Sequence, residues 1–274
     1  PSVMSGSSDP LLSLIPPVLS DFRMPGFFVI AGFFAALLLE RRSRGEWLKG
    51  RIERLGLPLA VGIATIVPVQ AAILANAPAR MVDGGATHDL LSHLWFLPVL
   101  ILMCLLLSAV WPLVVRVRHA PVPGVITLGL GFAAYELALF ALEHVLHSDL
   151  SFLGGFVDLG RLAIYLPFFA LGVALRTLWG RFSAFDPAVA VIGLVALLLH
   201  VGLWQDQSRV GIALDLAFDG LASLCLTQTI LALLVKIAHR PSARIDRLVD
   251  ASFTIYLLHH PVVVALAILC VWAA

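Results

Sequence analysis

Charge is scarce in this chain: Asp, Glu, Lys and Arg make up 13% of its residues, about half the share found in ordinary soluble domains. With 60% hydrophobic residues and a mean hydropathy of +0.99, composition excludes a water-soluble globular domain. Cysteine is also sparse. Cys104, Cys225 and Cys270 lie far apart within apolar segments, without metal-site spacing or a disulfide framework, and read as small core residues. The sequence has no GxSxG elbow, no P-loop and no strand-to-helix GxGxxG, so several soluble enzyme classes drop out. It has no HExxH-like spacing either, and no metal is expected. No repeat or low-complexity tract divides the chain, and nothing implies a nucleic-acid partner. Residues 1–10 lack the basic start and cleavage pattern of a secretory signal.

What the sequence has in abundance is apolar runs of membrane length. Eight segments are long enough to span a bilayer: 24–40, 57–75, 94–115, 123–145, 161–179, 187–204, 210–236 and 251–272. The connections between them are short. The expected fold is therefore an all-α, polytopic membrane helix bundle of about eight spans, forming one domain over residues 1–274. Pro and Gly inside several spans are compatible with this, because membrane helices tolerate both. Residues 11–20, with Pro16 and Pro17, either lie at the outer interface or extend the first helix outward.

The cations give the orientation. If the loop after the first span is placed inside and the rest alternate, fourteen of the eighteen Lys and Arg fall on the inner side, as the positive-inside rule requires. Only Arg23, Arg80, Arg161 and Arg209 remain outside. Glu136, Glu143, Asp158, Asp206, Asp215 and Asp219 lie in or near the outward halves of their helices. A charge facing lipid costs about 2.5–3.5 kcal/mol on insertion scales. Such groups should therefore turn into a shared interior, a polar chamber leaning outward above a basic inner rim.

Several groups carry candidate chemistry, each beside a plainer explanation. Arg51 and Arg54 are three residues apart on a short helix whose stripe of Leu48, Ile52 and Leu55 suits a membrane surface. They either fix the loop in the cytoplasm and meet anionic lipid, or clamp a phosphorylated ligand with their guanidinium forks. Arg23 either snorkels to the interface, with Asp21 as a local partner, or holds an anionic group. His93 opens the third span beside Trp95, an expected interfacial anchor; an imidazole at that depth can also bind substrate or orient a carboxylate. Glu136 and Glu143 share a helix face, as do Asp215 and Asp219, an arrangement suited either to proton handling or to joining helices. Tyr256 and His260 are one turn apart on the last span. Adjacent His259 and His260 diverge by about 100° on a helix, so at most one readily faces a given site.

Four pieces carry a resemblance: FRMPGFFVIAGFFAALLLERR at 22–42, RIERLGLPLAVG at 51–62, SHLWFLPVLILM at 92–103 and ASFTIYLLHHPVVV at 251–264. In this order they resemble the membrane-bound acyltransferase 3 family, near its glucan-modifying, succinyltransferase-like branch. The resemblance implies transfer of an acetyl or succinyl group from cytoplasmic acyl-CoA to a sugar hydroxyl of an envelope glycan. The setting would be the bilayer of a bacterial inner membrane. It also implies that Arg51 and Arg54 bind the CoA phosphates. Beside that scheme, the catalytic candidates in this chain are His93 and Glu136 in support and His260 as a substitute base, with Arg23 and Tyr256 as expected substrate contacts. One departure stands out. The family usually has an earlier helix bearing an Arg and, some ten residues on, a catalytic His, which nothing before Arg23 supplies. With no initiator Met, the expectation is a chain lacking its first helix and impaired in activity. A proton-coupled transporter or flippase for a lipid, sugar or anion, and a binding-only subunit of an envelope assembly, are the rival readings.

Overall fold

The computed structural model describes residues 15–273 apart from 76–90, 118–122, 147–150, 153–156, 204–207 and 238–242. Among the described residues there are eight α-helices: α1 (Ile15–Leu39), α2 (Arg44–Ala75), α3 (Phe96–Val117), α4 (Val125–Leu146), α5 (Leu159–Phe182), α6 (Pro187–Leu203), α7 (Arg209–Ile237) and α8 (Ala243–Ala273). Each of the eight apolar segments falls on one helix. Five regions, involving α1, α2, α3, α4 and α7, are long and apolar enough to cross a membrane. The apolar stretches of α5, α6 and α8 are shorter, at Leu159–Leu175, Pro187–Leu203 and Thr254–Cys270.

Residues 15–20 extend α1, one of the two placements expected of them, with Pro16 and Pro17 in its first turn, where a missing N–H breaks no intrahelical bond. Two other details depart from the sequence-based expectation. The basic turn and the second span are one continuous 32-residue helix, α2. Its Arg44–Leu55 portion therefore does not lie flat on the membrane: Trp47 and Leu55 are buried in the core while Ile52 is exposed. The architecture is also not wholly helical. Ser151–Phe152 (β1) and Val157–Asp158 (β2) pair antiparallel, Ser151 opposite Asp158, a ladder too short to show an alternating pattern. Asp158 then caps α5, accepting from the Arg161 backbone N–H at 2.8 Å.

Packing relies on glycines, because lipid offers no hydrophobic drive for helices to associate and close van der Waals contact must hold them. α1 crosses α5 where Gly32 meets the Phe169 carbonyl and Gly172 meets the Val29 carbonyl; a Cβ at either would overlap that oxygen. α7 is the hub of a second group. Gly193 on α6 abuts Cys225, and Gly220 on α7 abuts Ala133 and Glu136 on α4. The main core gathers Phe28, Leu94, Leu97, Met103, Phe168 and Phe182. Gln228, fully buried on α7, donates to the carbonyls of Phe182 at 3.2 Å and Ala184 at 2.7 Å, tying the hub to the α5–α6 turn. On the opposite side, Val191, Leu194, Val195 and Leu198 of α6 form an exposed apolar stripe at helical spacing, the surface expected to meet acyl chains.

Candidate active site

The site begins at a turn of 3-10 helix, Ser92–Trp95, that leads into α3. Leu94 is fully buried and presses against Gly62 of α2, where an added Cβ would come within 2.7 Å of Leu94 Cδ1. With that residue wedged inward, its neighbour His93 is carried toward α8. His93 Nε2 lies 2.9 Å from the Leu257 carbonyl oxygen. A carbonyl only accepts, so the proton is on Nε2 and Nδ1 keeps its lone pair. His259 is fixed the other way round. Its Nδ1 donates to the Tyr256 carbonyl at 2.6 Å, which leaves Nε2 as the acceptor.

The histidines meet. The His93 ring stacks on His260 with centroids 4.8 Å apart and planes 10° from parallel, and it lies 6.0 Å from His259. Residues 167 positions apart in sequence are thus brought into contact. The Nδ1 atoms of both His93 and His260 are enclosed and make no hydrogen bond within the protein. Tyr256 completes the group, edge-on to Phe96 at 4.4 Å and parallel to Phe27 at 6.4 Å. Arg23 is exposed and within electrostatic reach of Tyr256. The side chain of Asp21, its expected local partner, lies outside what is described. Four candidates from sequence, His93, His260, Tyr256 and Arg23, are therefore associated with this one region.

A second aromatic stack adjoins the first. Tyr165 of α5 lies parallel to Phe28 at 4.8 Å and to Trp95 at 5.4 Å, and the Arg161 guanidinium sits 4.8 Å above the Trp95 ring. Arg161 is held there by Asp158, 3.1 Å away. This cation–π contact links the start of α5 to the 3-10 turn, and such contacts are worth about 0.5–2 kcal/mol.

Glu136 is buried on α4 against Gly220 of α7. Beside Gly220, Asp219 accepts from the Ser223 hydroxyl at 3.2 Å, and both carboxylates are within electrostatic reach of Tyr165 in the second stack. Close by, His200 of α6 contacts Asp215 Oδ1 at 2.9 Å. Among the described acids, Glu136 is buried and Asp215 and Asp219 are partly buried; Asp215 joins α7 to α6 through His200, while Asp219 bonds within α7. Sequence reasoning overlooked His200. Its signal was an imidazole near the end of one apolar segment facing two acids early in the next. Glu143 and Asp206 lie outside the described side chains.

Arg51 and Arg54, three residues apart on α2, have different surroundings. Arg54 is exposed, whereas Arg51 is half-buried, its guanidinium 5.7 Å from the Trp47 ring centroid and close to Cys104 of α3. Its Nη2 is enclosed and has no hydrogen-bond partner within the protein. A buried guanidinium N–H left unpaired is costly, and an anionic oxygen is the ligand that best relieves it. Among the described residues, no group of three or more His, Cys, Asp or Glu is placed to hold a metal ion.

Comparison with known proteins identifies the family. The family profile of the acyltransferase 3 type, described as an acyltransferase domain, matches residues 2–269. Glucans biosynthesis protein C of Escherichia coli O17:K52:H18 is 29% identical over 286 residues, spanning 91% of this chain and 71% of the relative. The protein of the same name from Escherichia coli K12 is 29% identical over 295 residues, spanning 94% and 74%. Both names agree with the glucan-modifying branch that the four motifs indicated. No solved structure matches the chain. The chain belongs to the acyltransferase 3 family, and it is an integral membrane acyltransferase that transfers groups other than aminoacyl groups.

Proposed function

We propose that this protein moves an acetyl or succinyl group from cytoplasmic acyl-CoA to a sugar hydroxyl of an envelope glycan, working as a single domain of eight spans in a bacterial inner membrane. The observation that carries the reading is the enclosed His93 with its proton committed to Leu257, which leaves Nδ1 free to accept a hydroxyl proton. As the acceptor oxygen bonds to the acyl carbon, its proton passes to that nitrogen. The carbon–sulfur bond then breaks and the thiolate takes the proton back, so no net charge is left behind. His260 and Tyr256 belong to the same group and position the acceptor, with Arg23 at its edge.

The thioester supplies an activated acyl carbon, and Arg51 with Arg54 suits its phosphates. About 16 Å of helix rise separates Arg51 from Gly62, where α2 meets the 3-10 turn. An extended phosphopantetheine arm covers that distance. Glu136, buried against Gly220 of α7, has a supporting role.

The test compares acyl-CoA binding by wild type with binding by Arg51→Ala and Arg54→Ala. Loss of one charge-assisted contact, about 1.5–3 kcal/mol, should weaken binding about 10- to 150-fold, more for Arg51 than for Arg54. Unchanged binding in both variants would remove the CoA assignment. Transport of a labelled solute by the purified protein in liposomes, without acyl transfer, would favour the transporter reading instead.

A further inference from the structure

We infer that Pro261 is a positioning residue of the acyl-transfer site: it frees the Leu257 carbonyl that fixes the tautomer of His93. This deepens the reading above and rests on His93 Nδ1 as the proton acceptor. In a regular helix the Leu257 carbonyl would receive the N–H of residue 261, four positions on. That residue is proline, inside α8, and it has no N–H to give. The vacated acceptor is the atom that His93 Nε2 reaches at 2.9 Å. A neutral imidazole carries one ring proton, so committing it to Leu257 leaves the lone pair on Nδ1, in the plane of a ring that stacks on His260. The chain places the components together: His259, His260 and Pro261 are consecutive, and the carbonyl opened by the proline lies on the helix that carries two of the site's three histidines.

The same device occurs elsewhere in the bundle. Pro167 lies inside α5 and cannot donate to the carbonyl of Ala163, four residues earlier. That carbonyl accepts the Tyr135 hydroxyl from α4 at 2.9 Å. In both cases a proline within an apolar helix creates a carbonyl acceptor, and a polar side chain from a neighbouring helix occupies it. Freed carbonyls in a membrane interior require such partners, so the contact at Leu257 satisfies both groups at once. The Pro167 contact shows that a carbonyl opened by proline is occupied from a neighbouring helix at a second place in this bundle. At His93 the joining group is also an imidazole whose second nitrogen is left bare.

The experiment is nitrogen NMR of the 15N-histidine-labelled full chain in detergent or lipid, with His93 assigned by the signal lost in His93→Gln. Wild type should show His93 as the Nε2–H tautomer. Pro261→Ala and Pro261→Val both restore an N–H that competes for the Leu257 carbonyl, and both should shift His93 toward a mixture of tautomers. Both should lower kcat about 10- to 100-fold, part of the 10²–10⁴ that a positioned base contributes, with the KM for acyl-CoA unchanged. A packing role would instead separate the two variants by size and leave the tautomer alone. Pro167→Ala is the control and should not alter the His93 signal. Finding the Nδ1–H tautomer in wild type, or unchanged tautomer and kcat in both Pro261 variants, would overturn the inference. The predicted tautomer pattern in a wild-type protein with no acyl-CoA-dependent transfer would uphold the positioning contact and refute the enzymatic role assigned to it.

Discussion

The crossing of α1 and α5 offers a sharp mechanical test. A Cβ built on Gly32 overlaps the Phe169 carbonyl oxygen and also comes within 3.0 Å of the Phe169 carbonyl carbon and 3.2 Å of the Val173 nitrogen. One built on Gly172 overlaps the Val29 oxygen and sits 2.9 Å from both the Val29 carbonyl carbon and the Phe33 nitrogen. Every obstacle is backbone, so no rotamer change relieves it. Carbon and carbonyl oxygen settle at about 3.3–3.6 Å, and alanine at either position must push the helices apart by about 1 Å. Overpacking of this kind costs about 1–3 kcal/mol and sometimes more. Once the first alanine has opened the crossing, the second has less left to displace. The double variant should therefore be less destabilised than the sum of the singles, by about 1 kcal/mol or more, as expected for sites sharing one contact. Thermal unfolding of the purified protein in detergent, followed by helical signal for wild type, both singles and the double, measures this directly. Single variants that melt with wild type, or a strictly additive double, would refute the close crossing. Because α1 carries Phe27 and Phe28 while α5 carries Tyr165 and Arg161, the same variants should also lose acyl transfer more steeply than fold.

Two further outcomes follow from buried polar contacts. Gln228→Leu preserves approximate volume but strands the Phe182 and Ala184 carbonyls; a destabilisation of about 1–3 kcal/mol is expected, visible as a lower unfolding midpoint. His200→Leu removes the 2.9 Å contact to Asp215 and should cost about 1.5–3 kcal/mol. It should act on stability before acyl transfer, since the contact ties α6 to α7; an activity loss without a stability loss would contradict that joining role.

The bundle was largely legible in the sequence because membrane length and hydropathy are local properties. Each of eight apolar runs became part of one helix, and the one continuous rod over Arg44–Ala75 was misread as two pieces only because its charge changes along its length. Adjacency was not legible. Periodicity says which face of a helix is apolar, yet not which helix it meets, so the packing of Glu136 against Gly220 of α7 is seen only in the fold. His93 and His260 could be nominated separately, but their stacking depends on Leu94 wedging against Gly62 in a third helix. The proline contacts were hidden for a different reason. A carbonyl has no letter in the sequence, and the acceptor at Leu257 is visible only as what Pro261 fails to bond.

The length of α2 has a consequence for how the protein sits in a membrane. Its 32 residues span about 48 Å at the usual rise, against about 30 Å of hydrocarbon. Even at a tilt of about 40°, the steep end of the range seen in membrane helices, about 37 Å of that rod lies along the membrane normal. Some 7 Å, more than a full turn, must emerge into the headgroups. The emerging end is set by chemistry: Arg44, Lys49, Arg51 and Arg54 all lie in its first three turns. The mismatch between helix and bilayer thus holds this basic stem out among the phosphates, whichever angle the rod adopts.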